Sequence, residues 1–294
     1  MSIQTAPTPA PAPARSRDGS GLSFARILRS EWIKVTTVPS TVILLAITLV
    51  VMVGLSALYA WQLAVSVDFM ADASPEMQGQ MGGSMDMLRE QALMAPASGY
   101  IFGQLLIASL AVVLIASEWG TGMIRSTMVA VPARIPALLA KNLVIALIAF
   151  VLGAGAAFIS YFIAQPILAA ESMEFALTDD GVLRSVLNTG TYLAFIAVIS
   201  MGIGTLLRNT AGGVVTAIGL FFVFPVIIVN LIQGLADWIP DAARFLPTNA
   251  GDRMLLIPAD EAGQLTALEG GLVMAAWAVA LLIISLFVAK RSDV

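Results

Sequence analysis

Glu118, Arg125, Arg134 and Lys141 fall within one connection, Ala116–Lys141 (ASEWGTGMIRSTMVAVPARIPALLAK), of a chain in which only 12% of residues are charged. Charges at that density between two apolar runs can make charge-assisted contacts to acidic groups on a partner or to lipid phosphate. The usual parts of a catalytic centre are missing. Histidine and cysteine are both absent, which excludes disulfides, thiolate metal sites and imidazole chemistry. The sequence has no G-x-x-x-x-G-K-[ST] phosphate loop, no G-x-S-x-G elbow and no His-based zinc motif. No enzyme activity and no catalytic, metal or cofactor residue is therefore expected in this chain. Asp179–Asp180 reads as a solvated turn. Met70, Met77, Met81, Met85, Met87 and Met94 raise a different possibility, since thioethers bind Cu(I). Gly79, Gly82 and Gly83 interrupt any rigid ligand array, so adaptable packing is the preferred reading of these methionines.

The elements that position these residues follow from hydropathy. The chain is 59% hydrophobic, against about 45–50% in a soluble globular protein, and its mean hydropathy is +0.91. A hydrocarbon core of roughly 30 Å calls for helices of about 20 apolar residues. Six such runs occur: Thr41–Ala60, Ala97–Ser117, Asn142–Gln165, Leu187–Leu207, Gly212–Gly234 and Gly270–Ala289. The first lacks a small-residue cleavage signature and reads as a permanent span. The expected fold is an all-α membrane protein with six transmembrane helices. No ionisable residue sits in the middle of a run, which argues against a proton relay or an ion-coupled transporter. Gln104, Ser160, Tyr161, Gln165, Asn188, Thr189, Tyr192, Asn230 and Gln233 are read as structural polar groups. Ala149, Gly153 and Ala157 permit close helix contact, and Pro225 is expected to kink the fifth run.

The flanks carry an asymmetry. Eleven of the fifteen Lys/Arg lie on the side of the two termini and four on the other, giving net charges of +7 and −11. The positive-inside rule then puts both termini and the Ala116–Lys141 connection in the cytoplasm. Met1–Gly21 is a Pro/Ala-rich stretch expected to be a disordered tail, leaving 22–294 as the six-span domain. FARILRSEWIKVTTVPS follows. On a helical wheel Phe24, Ala25, Ile27, Leu28, Trp32 and Val35 share one side, and Arg26, Arg29, Ser30 and Lys34 the other. Glu31 and Ile33 lie on the wrong sides. The expectation is an interfacial helix, with Trp32 at the lipid boundary and Arg26, Arg29 and Lys34 toward headgroups or a soluble partner. It ends at Pro39. The long last outer connection, Leu235–Glu269, is expected to form short amphipathic or re-entrant helices over the outer mouth.

Within the opening stretch, Gly120 and Gly122 allow a sharp turn, Ile124–Val131 can form a short helix across the membrane face, and Pro132 and Pro136 restart the chain before Lys141 re-enters. In this order Glu118, Gly120, Thr121, Pro132, Arg134 and Lys141 resemble the cytoplasmic segment after the second span of bacterial ABC type-2 exporter permeases. SEWIK at Ser30–Lys34 is similar to the helix before that family's first span. The terminal AKRSDV is similar to the tail after its sixth span, and FLPTNAGD to a step in the outer loop of actinobacterial members. The long Met-rich first outer loop departs from the pattern.

The resemblance implies a half-transporter in a bacterial plasma membrane, of a kind that exports drugs, antimicrobial peptides or lipid-linked molecules. Two such subunits, copies or paralogues, would form the substrate pathway. Two separate ATPase subunits would bind the ATP and Mg. The segment from Glu118 to Lys141, with Arg125 and Met128 on its short helix, would couple them, and Glu118 would pair with a donor in the interfacial helix that holds Arg26, Arg29, Glu31, Trp32 and Lys34. No nucleic acid partner is expected. A secondary transporter or channel is the alternative, and an intramembrane enzyme the third reading. The topology is testable because the chain has no background thiol. A cysteine from Ser20→Cys is expected to react with impermeant reagent only from the cytoplasmic side, and one from Ser84→Cys only from outside. The reverse pattern would overturn the orientation.

Overall fold

The computed structural model describes residues 23–72, 85–123, 134–257 and 263–291. The described residues are helical and contain no strand. α1 spans Phe24–Thr37, α2 Pro39–Asp72, α3 Met85–Leu93, α4 Tyr100–Gly120, α5 Arg134–Ala169 and α6 Val182–Leu207. α7 covers Thr210–Ile232 with a π-helical stretch at Gly219–Ile228. α8 is Trp238–Ala243, α9 Pro247–Leu255 and α10 Ala267–Arg291. Six of these, α2, α4, α5, α6, α7 and α10, are long and apolar enough to cross a membrane. The chain is thus a multi-pass membrane protein. The expected tail at Met1–Gly21 and the expected short helix Ile124–Val131 lie outside the described residues.

Helix ends follow local chemistry. Val38 is extended, as a residue before proline must be, so α1 stops at Thr37 and Pro39 opens α2. Arg208 caps α6 in the left-handed region (φ 50°), and the Asn209 side chain accepts from the Gly212 N–H at 2.7 Å to start α7. Two helices run past their expected limits. α2 continues through Trp61 to Asp72 because nothing there breaks it, and Ala60, Leu63 and Val67 give its extension a buried stripe against Leu88 and Ala92 of α3. α5 begins at Arg134, so Lys141 lies inside a helix rather than at its mouth.

α6 is the central element. In its most apolar window 67% of residues are buried, against 17% in α7 and 22% in α2 and α10. Lipid gives no hydrophobic reward for helix association, so close van der Waals contact must supply it. Here Ala149 and Ala157 are buried. A Cβ on Gly153 would stand 2.9 Å from the Thr189 carbonyl, and one on Gly190 2.5 Å from the Phe150 carbonyl. The backbones of α5 and α6 touch because neither residue has a side chain.

Pro225, expected to kink the fifth run, lies inside the π-helical stretch Gly219–Ile228. Proline has no N–H, so the Phe221 carbonyl loses its α-helical donor. The Thr248 hydroxyl of α9 donates to that carbonyl at 2.8 Å. Three of the polar groups read as structural make hydrogen bonds within the bundle: Asn188 donates to the Met254 carbonyl, Tyr161 to the Phe175 carbonyl, and Tyr192 to Gln104. Met94 packs in the core with its sulfur accepting from the Ile257 N–H.

The α5–α6 crossing yields a prediction. Gly190→Ala is expected to lower stability by about 1–3 kcal/mol, the cost of overpacking. Gly155→Ala on α5 meets nothing within 4 Å and is expected to be neutral or slightly stabilising. Thermal unfolding of the two variants in the same detergent checks this.

Candidate functional site: a four-charge cluster joining three helices

The end of the bundle that carries α1 gathers Glu31 and Lys34 from α1, Glu118 from the last turn of α4, and Lys141 from the second turn of α5. Ile27, Glu31 and Val35 form the buried stripe of α1 at four-residue spacing, so Glu31 enters the bundle with apolar neighbours above and below it. Ile27 packs against Ala137 and Ala140 of α5, which brings Lys141 into register. The Lys141 ammonium donates to Glu31 Oε2 at 2.6 Å and to Glu118 Oε1 at 2.7 Å. Lys34 donates to Glu31 Oε1 at 2.7 Å and stands 3.7 Å from Glu118 Oε1. Both carboxylates are 2% exposed and Lys141 7%. The four formal charges sum to zero, which is the condition under which such groups can leave water together. Glu118 Oε2 has no hydrogen-bond partner among the described residues.

Burial alone would raise the Glu31 pKa, but the Lys141 ammonium and then Lys34 outweigh it and hold the carboxyl below its ordinary value. Burial likewise works to lower Lys34, and Glu31 with Glu118 outweighs it and holds the ammonium above its ordinary value. The stabilisation from Glu31 is present above the ordinary carboxylate range and is lost as pH falls through its lowered value. That from Lys34 is present below the ordinary lysine range and is lost as pH rises through its raised value. The cluster therefore holds across the neutral range.

The structure brings together four of the residues singled out in the sequence and separates the rest. The partner expected for Glu118 in the helix before the first span is present as Lys34, but the shorter bond comes from Lys141 of α5. Two expectations for α1 are corrected. Glu31, on the wrong side of the wheel, faces the bundle because its partners are there. Lys34 turns inward to the cluster rather than to headgroups. Arg26 and Arg29 are exposed, and Trp32, 44% exposed, edges an apolar groove of about 520 Å³ between α1, α2 and α5. Gly120 and Thr121 are exposed past the cluster, with the Thr121 hydroxyl on the Ser117 carbonyl at 2.8 Å. Of the two glycines expected to allow a sharp turn, Gly120 ends α4 and Gly122 takes φ 70°, in the left-handed region. Arg125, Met128 and Pro132 lie outside the described residues, and Arg134 begins α5.

One contact escaped the sequence reading. The Arg208 guanidinium stacks over the Trp119 ring at 4.3 Å, tying the α6–α7 turn to the residue beside Glu118. The available signal was a lone charge between the fourth and fifth apolar runs, with a tryptophan flanking the acid two runs earlier.

Losing one member of a buried ion cluster strands the others, at about 3–5 kcal/mol. Lys141→Met is expected to cost that much and Lys34→Met clearly less, because Lys141 bonds both acids closely and Lys34 is 37% exposed. Thermal unfolding at neutral pH ranks them, and the opposite order would contradict this geometry. Compared with known proteins, the chain matches no family model, and no curated protein matches it significantly.

Proposed function

We propose that this chain is the membrane-spanning permease subunit of an ATP-driven ABC exporter, paired with a second permease copy or paralogue and with two separate ATPase subunits. Six spanning helices give it a transporter-like architecture. The observation that carries the finer reading is the bridge from Lys141 to both Glu31 and Glu118. The segment between Gly122 and Arg134 follows the last turn of α4, which carries Glu118, and precedes α5, which carries Lys141 about two turns in. A push on that segment from a soluble partner would reach α1, α4 and α5 through one buried knot rather than through a slack loop. Arg26 and Arg29, exposed on α1, offer charge to acidic groups on that partner or to lipid phosphate. In this reading ATP and Mg belong to the partner.

A secondary transporter or channel remains the second reading, and one observation favours it. Asp252, read as part of an outer loop, is folded against the spanning helices (below), so the bundle is not free of ionisable groups.

Co-purification separates the two. The permease reading expects a soluble ATPase with a phosphate-binding loop, encoded beside this chain, to copurify with it. Met128→Arg, on the expected docking helix, should release that ATPase, while Glu118→Gln should keep it bound and reduce transport-stimulated ATP hydrolysis. Failure of the unmodified chain to retain any ATPase would defeat the reading.

A further inference from the structure

The opposite end of the bundle holds a carboxylate with none of this compensation. α9 lies against α6, α10 and the π-helical stretch of α7. Two glycines set how close it comes. A Cβ on Gly251 would stand 2.0 Å from the Tyr192 ring of α6, and one on Gly270 of α10 2.2 Å from the Ala250 carbonyl. That approach delivers Asp252 to Tyr100 of α4 and Tyr192 of α6, whose rings meet edge to face at 5.5 Å. Tyr100 acts on the Asp252 carboxylate as a donor that favours its ionised form. The Tyr192 hydroxyl is committed to Gln104. Asp252 Oδ1 is shut off from solvent and has no hydrogen-bond partner among the described residues.

No cation faces it. Among the described residues, the titratable groups that act on Asp252 or take their own charge effects from it are Tyr100 of α4 and Tyr192 of α6. Arg253, its neighbour on α9, turns its Nε to the Leu265 carbonyl at 2.9 Å. Glu269 at the start of α10 is exposed and accepts from Thr266. The π-helical stretch, GLFFVFPVII, has no titratable side chain. A carboxylate in this setting either stays ionised at a desolvation cost or takes up a proton.

We propose that Asp252 is a proton-binding site, which when protonated lets α9 seat fully on α4 and α6, and when ionised loosens that end of the bundle. Burial pushes its pKa up to about 6, with the Tyr100 hydrogen bond acting in the opposite direction. Because the folded value lies above the ordinary one, the folded state binds the extra proton. Stability at α9 is then greatest on the acid side and falls as pH rises from the ordinary carboxylate range through about 6. The ligand is the proton, and the site does not depend on whether ATP drives transport.

Infrared spectroscopy of the full-length protein in lipid nanodiscs reads the proton directly. A protonated-carboxyl C=O band is expected on the acid side, disappearing with a midpoint near pH 6, and it should be missing in Asp252→Asn. Tyr100→Phe removes the O–H that favours the ionised form, so its midpoint should move up. This variant keeps the carboxylate and tests the site even if Asp252→Asn folds poorly. Hydrogen exchange of the α9 amides, corrected for its intrinsic pH dependence, should quicken above the same midpoint in the unmodified chain and stay slow throughout in Asp252→Asn. A titrating band that persists in Asp252→Asn, a midpoint in the ordinary carboxylate range, or pH-independent exchange at α9 would each overturn the proposal. None of these readouts involves an ATPase, so their failure is separate from failure of the permease reading.

Discussion

Two carboxylates and the Lys141 ammonium are held out of water at one end of this bundle, with the half-exposed Lys34 at their edge, and they can stay there only as a set. Each ion left alone would face a desolvation penalty of several kcal/mol. Lys141 meets that demand by bonding Glu31 and Glu118 together, with Lys34 closing the set from α1. The consequence is mechanical. α1, α4 and α5 cannot separate at that end without breaking the neutral set. The Arg208–Trp119 stack adds the α6–α7 turn to the same knot. Few interactions in a membrane bundle are this hard to slide, because apolar contacts can be exchanged for lipid and ion pairs cannot.

The middle of the bundle is built differently. Around α6, packing depends on small residues that let backbones approach, at Gly153 and Gly190 against α5 and at Gly204 against Val112 and Ile115 of α4. These contacts have no polar glue of their own. The polar side chains near them mostly turn back to their own helix carbonyls, as Thr189 does to Ser185 and Thr205 to Met201. The centre is thus set by shape, and the ends by charge and hydrogen bonding.

At the far end the deciding constraint is backbone satisfaction. Pro225 takes a donor away from α7 in an apolar setting where an unpaired carbonyl is costly. The repair comes from Thr248 of α9. The helix that supplies the repair also carries Asp252 into contact with Tyr100 and Tyr192. A proline in one span and a half-buried acid beside two others are therefore connected through a single short helix. The two ends contrast: one gathers four charges into a neutral set, the other sets a half-buried carboxylate, its Oδ1 closed to solvent, against a tyrosine.

Six spans and their approximate positions were legible in the sequence because hydropathy is local: a run of about 20 apolar residues needs no partner to declare itself. Pro39 and Gly122 also declared themselves, through backbone rules that act over one to four residues. The lengths of α2 and α5 did not. Their extensions, Trp61–Asp72 and Arg134–Lys141, are only amphipathic, and become helix because α3 and α1 cover the stripe. Least legible were the buried ions. Glu31 looked like a pattern error and Asp252 like loop polarity. Glu31 and Lys141 are 110 residues apart, and composition around either gives no sign of the other. Only the crossing of α1 over α5, and of α9 over α6, determined which charges leave water, because burial of a charge is decided by what stands opposite it.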